Sequence, residues 1–263
     1  MKNKGMKFAK KAFQSRPRRF SVVWMLPNFL TICALIFGLQ AMYQALFNNW
    51  DNVIIMIIIA SVFDMLDGRV ARLLNTTSEF GMHLDSLSDF VVFGAVPAFT
   101  LYLWMDKPQG NLFWIVIVLY VICSALRLAR FNSELSERPS YAKNYFNGVP
   151  TPAAAFLMLF PIAIEGYLET YALKSFDIIG FWIGFISIIM VSNIPTFSGK
   201  VFQIPKSYVI PMLIILALLS NAIISNPIRG FIILVLVYII SLPFASFFYW
   251  RLKKKAEALN IKT

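Results

Sequence analysis

Four aspartates stand in two closely spaced pairs whose spacing could build a metal site. Asp64 and Asp67 are three residues apart, and Asp85 and Asp89 are four residues apart. On a helix, either spacing places both side chains on one face. Two such faces brought together would form a cage of four carboxylates, which repel one another unless cations neutralise them. Hard divalent ions, magnesium or manganese first, prefer such oxygen ligands.

Small and basic residues lie between the two pairs. Glycines there would let a ligand approach the backbone closely, and arginines could bind phosphate. The segment from residue 64 to residue 89 fits the pattern D-x2-D-G-x2-A-R-x8-G-x3-D-x3-D, and in this it resembles the signature of the CDP-alcohol phosphatidyltransferase family. The fixed positions are filled by Asp64, Asp67, Gly68, Ala71, Arg72, Gly81, Asp85 and Asp89. Eight fixed residues at fixed gaps are far more specific than a lone glycine motif.

The resemblance implies an activity and a set of roles. Members of the family are membrane enzymes that bind a CDP-linked lipid or alcohol and two divalent metal ions. The hydroxyl of a second substrate attacks the phosphorus that carries the lipid, and CMP leaves. By position, the metal ligands are Asp64, Asp67, Asp85 and Asp89, and Asp89 is also the base that accepts the proton of the hydroxyl. The small residues Gly68, Ala71 and Gly81 let the nucleotide lie against the helices, and Arg72 contacts phosphate or ties the structure together.

A second polar pair lies in the run P-N-F-L-T at 27–31, which we expect to begin the first membrane helix. Asn28 and Thr31 are three residues apart on one helix face, so they could hydrogen-bond the nucleotide or its phosphates. The alternative is that Asn28 caps the helix and accepts hydrogen bonds from free backbone N–H groups.

Two motifs in the second half resemble the branch of the family whose acceptor is serine. They are A-L-R-L-A-R-F-N at 125–132 and F-N-G-V-P-T-P-A-A-A at 146–155. The resemblance implies CDP-diacylglycerol as donor and L-serine as acceptor. Arg127 and Arg130 could hold a carboxylate, and Asn132 and Asn147 could supply neutral hydrogen bonds. Alternatively, the arginines anchor the helix end at the membrane surface.

Other functions stay open at this point. The acceptor could be glycerol 3-phosphate or inositol phosphate, although a phosphorylated acceptor should need a denser cationic pocket, and the donor could carry ether-linked tails. His83, the only histidine, occupies a free position of the pattern, so a covalent intermediate on it is a lesser alternative. A divalent-cation transporter would usually place its acids near the middle of the membrane, often in repeated halves. These acids lie at the ends of apolar runs without a second acidic cluster, which argues against transport.

Composition indicates an integral membrane protein. Of the 263 residues, 59% are hydrophobic and only 14% are charged, too few polar residues to cover a soluble domain of this size. The net charge is +11, but the basic residues cluster at the ends of apolar runs, which favours anionic lipid head groups over nucleic acid. Cys33 and Cys123 fall inside apolar segments and are expected to be buried thiols.

We therefore predict an all-α membrane protein with about eight transmembrane helices, since a helix of ~20 residues crosses a bilayer. The predicted spans are 24–47, 52–74, 80–105, 111–132, 150–168, 177–195, 207–225 and 228–250. Only the turn signal Asn226-Pro227 separates the last two. With eight spans, twenty-one Lys and Arg residues fall on the side of both termini, and three fall on the other side (Lys107, Lys174 and Arg229). The positive-inside rule then places both termini and the aspartate motif, at the ends of helices two and three, in the cytoplasm.

The chain divides into three regions on this interpretation. Residues 1–20 form a basic segment, either an interfacial amphipathic helix or a disordered tail. Residues 21–250 form the catalytic membrane domain, and residues 251–263 form a basic cytoplasmic tail. By analogy with the family, we expect a homodimer in the cytoplasmic membrane.

Overall fold

The computed structural model describes residues 22–105, 110–133, 145–169, 173–197, 221 and 225–258. The basic segment 1–20 and almost all of the predicted span 207–225 lie outside the described residues.

The described chain is almost entirely helical, as predicted. The helices are α1 (Val22–Leu46), α2 (Trp50–Leu73), α3 (Glu79–Asp89), α4 (Val96–Trp104), α5 (Gly110–Ser133), α6 (Thr151–Leu168), α7 (Phe176–Val191) and α8 (Pro227–Ala258), with a π-helical turn (Phe90–Ala95) between α3 and α4. Two short strands, β1 (Tyr145–Asn147) and β2 (Pro195–Phe197), pair with each other in antiparallel register.

Five helical stretches of the described chain are long and apolar enough to cross a membrane. They are Met25–Leu46, Glu79–Trp104, Gly110–Ser133, Thr151–Leu168 and Pro227–Leu252. The two other described helices differ: α2 has 24 residues but carries charged side chains near its end, and α7 is apolar but has only 16 residues. The protein is thus an all-α, multi-pass membrane protein, while the number of eight spans stays a prediction.

Helix α1 corrects one expectation about the sequence. It begins at Val22, so the run at 27–31 does not start the helix and Asn28 cannot be its N-cap. Pro27 removes only one backbone donor near the helix start, and apolar residues on both sides continue the helix, as happens in membrane helices. Asn28 is therefore left to act through its side chain alone.

The third predicted span changes its helical geometry directly after Asp89. Residues Phe90–Ala95 form a π-helical turn, in which the N–H of Val96 bonds to the carbonyl of Val91, five residues back. Such turns insert one extra residue into a helix and are frequent at functional sites. Asp89 therefore stands at the junction between two kinds of helix.

Pro97 supplies the cause of this turn. Proline lacks an N–H, and its ring collides with the carbonyl four residues earlier, which here belongs to Phe93. Widening the helix relieves the collision. The hydroxyl of Tyr120, which is fully buried on α5, donates a hydrogen bond to the Phe93 carbonyl at 2.9 Å.

Close helix contacts hold the core around this turn. A Cβ atom placed on Gly38 of α1 would lie 2.7 Å from a Val92 methyl group, and one placed on Gly94 would lie 2.7 Å from the Ser124 hydroxyl. The glycines thus let α1 and α5 pack directly on the π-helical turn. Large buried side chains fill the space beyond, among them Phe93, Trp104, Phe113, Tyr120 and Phe231.

The two strands tie the connection before α6 to the connection after α7. Gly148 follows β1 with φ of +75°, and a Cβ atom there would lie 2.3 Å from the Met190 carbonyl oxygen. The Thr196 hydroxyl donates to the Gly148 carbonyl at 2.9 Å. The chain then enters α6 at Thr151.

The start of α8 agrees with the predicted turn at Asn226-Pro227. The Asn226 side chain accepts a hydrogen bond from the Arg229 N–H at 3.1 Å. The helix continues to Ala258, so it takes in the first residues of the predicted tail 251–263.

Candidate active site

Three of the four predicted carboxylates converge. Asp64 and Asp67 come from α2 and Asp85 comes from α3, and one carboxylate oxygen of each lies within 4.8 Å of those of the other two. The chain returns from α2 to α3 within a few residues, and Ser78 caps the new helix by accepting a hydrogen bond from the Gly81 N–H at 3.0 Å. The short, capped connection brings the two acidic helix faces together.

Helix α1 fixes one of these carboxylates. The Thr31 hydroxyl donates to Oδ2 of Asp67 at 2.6 Å, and both residues are only 4% exposed. The Ser88 hydroxyl of α3 in turn donates to the Thr31 carbonyl at 3.4 Å. Thr31 therefore orients Asp67, a contact that the sequence pattern did not predict.

Asp89 lies one turn beyond Asp85. Its side chain adjoins that of Asp64, and its Oδ1 atom is buried without a hydrogen-bond partner in the described part of the chain. A buried carboxylate oxygen is costly unless a ligand, a proton or an ion satisfies it. Asp89 thus presents an unsatisfied acceptor next to the three converging acids.

The donor set fits divalent cations. Carboxylate oxygens are hard ligands, and the mutual repulsion of partly buried carboxylates is relieved when a cation lies between them. The residues present therefore fit the metal ions that the family resemblance implies, with the three converging acids as ligands and Asp89 beside them.

A pocket of about 300 Å³ opens beside the converging carboxylates, and Asp67 and Asp85 form part of its wall. The residues predicted to contact CDP all line it, namely Asn28, Thr31, Gly68, Ala71, Arg72 and Gly81. The structure thus gathers into one pocket residues that come from three helices.

The two glycines of the pocket differ in their surroundings. A Cβ atom on Gly81 would lie 3.0 Å from Oδ1 of Asn28 and 3.1 Å from the Ser78 hydroxyl oxygen, so this glycine lets α3 approach α1. A Cβ atom on Gly68 would meet only a guanidinium nitrogen of Arg72, at 3.6 Å. Gly68 therefore keeps a wall of the pocket open.

Hydroxyl groups of the α2–α3 connection also line the pocket, at Thr76, Thr77 and Ser78. Oγ1 of Thr76 is buried and has no hydrogen-bond partner among the described residues. Sequence reasoning missed these residues. The run of hydroxyl side chains directly before Glu79 was nevertheless a usable signal, because such residues favour helix N-termini.

The residues predicted to bind the acceptor occupy several positions at this end of the bundle. Arg127 is buried and donates to the Thr151 hydroxyl at 2.8 Å. The Asn132 side chain donates to the Ser86 hydroxyl at 3.0 Å, and Ser86 follows Asp85 directly in α3. The structure thus brings Asn132 to the acidic helix α3, while Arg127 faces α6.

Arg130 has a clear structural contact. Its guanidinium donates to the carbonyls of Val191 at 2.8 Å and Ser192 at 3.2 Å, at the C-terminus of α7. It also donates to the carbonyl of Asn147 at 3.3 Å and to the side chain of Asn193 at 3.2 Å. A cation that bonds the last carbonyls of a helix stabilises its end, so Arg130 ties α5, β1 and α7 together.

A larger pocket, of about 1020 Å³, lies at the opposite ends of the helices. Lys174 there lies 3.6 Å from the Glu165 carboxylate and 5.2 Å from the ring centre of Trp104. This pocket does not contain the converging aspartates, and it is separate from the candidate active site.

Comparison with known proteins agrees with this geometry. Residues 24–192 match the model of the CDP-alcohol phosphatidyltransferase family. A Mycobacterium tuberculosis protein named CDP-diacylglycerol–serine O-phosphatidyltransferase is 34% identical over 234 residues, which cover 88% of this chain and 81% of the relative. Proteins of the same name from Helicobacter pylori and Methanocaldococcus jannaschii are each 35% identical, over 65% and 66% of this chain and 71% and 76% of their own lengths. The chain belongs to the CDP-alcohol phosphatidyltransferase family.

Proposed function

We propose that the protein transfers the phosphatidyl group of CDP-diacylglycerol to the hydroxyl of L-serine, which yields phosphatidylserine and CMP. The observation that carries this proposal is the convergence of Asp64, Asp67 and Asp85 beside a pocket that all six predicted nucleotide contacts line. The relatives that bear the serine transferase name match most of the chain, which supports serine as the acceptor.

The donor binds with its cytidine diphosphate in the pocket. Gly68 and Ala71 leave room for the nucleotide on α2, Asn28 and Thr31 face it from α1, and Arg72 contacts phosphate. The buried, unpartnered Thr76 hydroxyl is a further donor for a phosphate oxygen. The diacylglycerol tails lie between the helices on the apolar side.

The chemical step needs an aligned hydroxyl, a proton acceptor and charge neutralisation. The serine oxygen forms a bond to the phosphorus that carries the lipid, the bond from this phosphorus to the CMP oxygen breaks, and Asp89 accepts the hydroxyl proton. Divalent ions bound by the four aspartates would neutralise the diphosphate and polarise the phosphorus. We propose magnesium or manganese, two ions per site, since both prefer oxygen ligands.

The acceptor side is formed by Arg127, Arg130, Asn132 and Asn147. Asn132 is the best placed of these, because its side chain contacts Ser86 of the acidic helix α3. Arg130 shapes this side through the carbonyls that it holds. The cationic groups would attract the carboxylate of serine.

The protein acts in the cytoplasmic membrane as a homodimer with eight spans, with both termini and the active site facing the cytoplasm. The excess of basic residues on the motif side supports this orientation. Residues 1–20 and 251–263 then lie at the anionic membrane surface.

The test is CMP release by purified protein given CDP-diacylglycerol, manganese or magnesium, and one acceptor at a time. Product with L-serine alone is the expected result. Product with glycerol 3-phosphate, inositol or inositol phosphate instead would overturn the proposed acceptor and keep the metal site. Uptake of metal into proteoliposomes without turnover of any acceptor would overturn the enzymatic function.

A further inference from the structure

We propose that Tyr120 is a positioning residue for Asp89, which it holds in place through the π-helical turn Phe90–Ala95. The inference rests on the proposed function, which makes Asp89 both a metal ligand and the base. It names a residue outside the signature, 31 positions after Asp89 in the sequence.

The first step of the argument is the missing donor. In an α-helix the carbonyl of Phe93 would accept from the N–H of residue 97, but residue 97 is proline. The Tyr120 hydroxyl fills this place at 2.9 Å from a fully buried side chain. A buried carbonyl left without a donor is costly, so the hydroxyl stabilises the widened turn.

The second step is the contact one helical turn further along α5. Ser124 is fully buried against Gly94, and with Tyr120 it forms one face of α5 that contacts the π-helical turn at two adjacent residues. Contacts of Tyr120 and Ser124 with two adjacent residues restrain the turn against both sliding along the helix axis and rotation about it. The turn cannot relax into an α-helix without rotating one of its two ends.

The third step connects the turn to the metal site. Asp89 is the residue directly before the turn. Inserting or removing one residue in a helix rotates the part before that residue by ~100° relative to the part after it. Loss of the π-helical geometry would therefore move the Asp89 carboxylate away from Asp64. Tyr120 touches no reacting group and acts only by holding this geometry.

The experiment compares Tyr120→Phe with Tyr238→Phe. Each substitution removes one buried tyrosine hydroxyl, but that of Tyr238 has no hydrogen-bond partner in the described chain and lies on α8. The readout is manganese affinity, measured by electron paramagnetic resonance on protein without substrate. We expect Tyr120→Phe to weaken manganese binding roughly tenfold, the lower end of what disturbed ligand orientation costs, and Tyr238→Phe to leave it unchanged.

A second arm uses Pro97→Ala, which restores an N–H that can bond to the Phe93 carbonyl. This N–H favours an α-helix in place of the π-helical turn, so Pro97→Ala should itself weaken manganese binding, and adding Tyr120→Phe should lower the affinity by about twofold or less. Wild-type affinity in Tyr120→Phe, or an equal loss in both backgrounds, would overturn the inference. Because no substrate is present, failure of serine transfer by the wild-type protein would count against the proposed function alone.

Discussion

Replacing Gly68 with alanine should stabilise helix α2 and weaken binding of the donor substrate. Gly68 lies inside α2 and also lines the pocket. Alanine is favoured over glycine in a helix by about 0.5–1 kcal/mol, and the added methyl group would have an ordinary contact, 3.6 Å from Arg72. We therefore expect Gly68→Ala to raise the thermal midpoint by roughly 1–4 °C.

The same methyl group would point into the space that we assign to the nucleotide. Overlap of one methyl group with a well-packed partner costs about 1–3 kcal/mol, which corresponds to a roughly 5- to 150-fold rise in KM for CDP-diacylglycerol. The assay is CMP release as a function of donor concentration, with the midpoint measured on the same preparation. The gain in stability and the loss of affinity should occur together.

Gly184→Ala is the matched control. Gly184 also lies inside a helix, α7, and a Cβ atom there would have no neighbour within 4 Å, so the midpoint should rise without any change in KM. Gly81→Ala should lower both the thermal midpoint and the affinity for the donor, because its methyl group would press on Asn28 and Ser78. An unchanged KM in a folded Gly68→Ala protein would refute the assignment of this pocket to the nucleotide.

Three further predictions concern the metal site and the tie at α7. Thr31→Val removes the 2.6 Å hydrogen bond to Asp67 and should weaken manganese binding roughly tenfold, whereas Thr31→Ser should keep the wild-type affinity. Equal manganese affinities of Thr31→Val and Thr31→Ser in calorimetry would contradict the role of the hydroxyl. Asp85→Asn should abolish CMP release without lowering the thermal midpoint, since it relieves repulsion among the acids, and activity that persists in the presence of a chelator would argue against a metal-dependent step. Arg130→Gln should lower the midpoint by roughly 4–8 °C through the loss of about 2 kcal/mol of charged hydrogen bonds; a normal midpoint with a raised KM for serine would instead make Arg130 chiefly an acceptor ligand.

The sequence predicted the parts of this molecule that depend on local pattern. Six of the eight predicted spans coincide with described helical stretches to within about four residues, and the predicted span 228–250 lies inside the longer helix α8. Apolar runs of this length have few other stable structures in a membrane. The acid pairs converge because their spacing sets a helix face and the connection between α2 and α3 is short. Six of the eight residues of the signature line one pocket for the same reason.

The features that the sequence did not predict depend on contacts between distant segments. The π-helical turn combines Pro97 with a hydrogen bond from the Tyr120 hydroxyl, and proline alone could equally have kinked or ended the helix. The paired strands have three residues each and lie about fifty residues apart, which leaves no periodic signal. The carbonyls that Arg130 holds belong to a helix end that only the folded chain brings near it.

Gly148 and Gly38 should behave differently in suppressor genetics, because different kinds of atom surround them. The atoms that a side chain at position 148 would strike belong to the backbone of Met190 and Ser192, and no substitution at those positions removes a carbonyl oxygen. A selection for revertants of Gly148→Ala should therefore return the original glycine and no second-site change at Met190 or Ser192. At Gly38 the obstructing atoms are the methyl groups of Val92, so Val92→Ala should rescue Gly38→Ala. Positions 38 and 92 should therefore be able to change as a compensating pair.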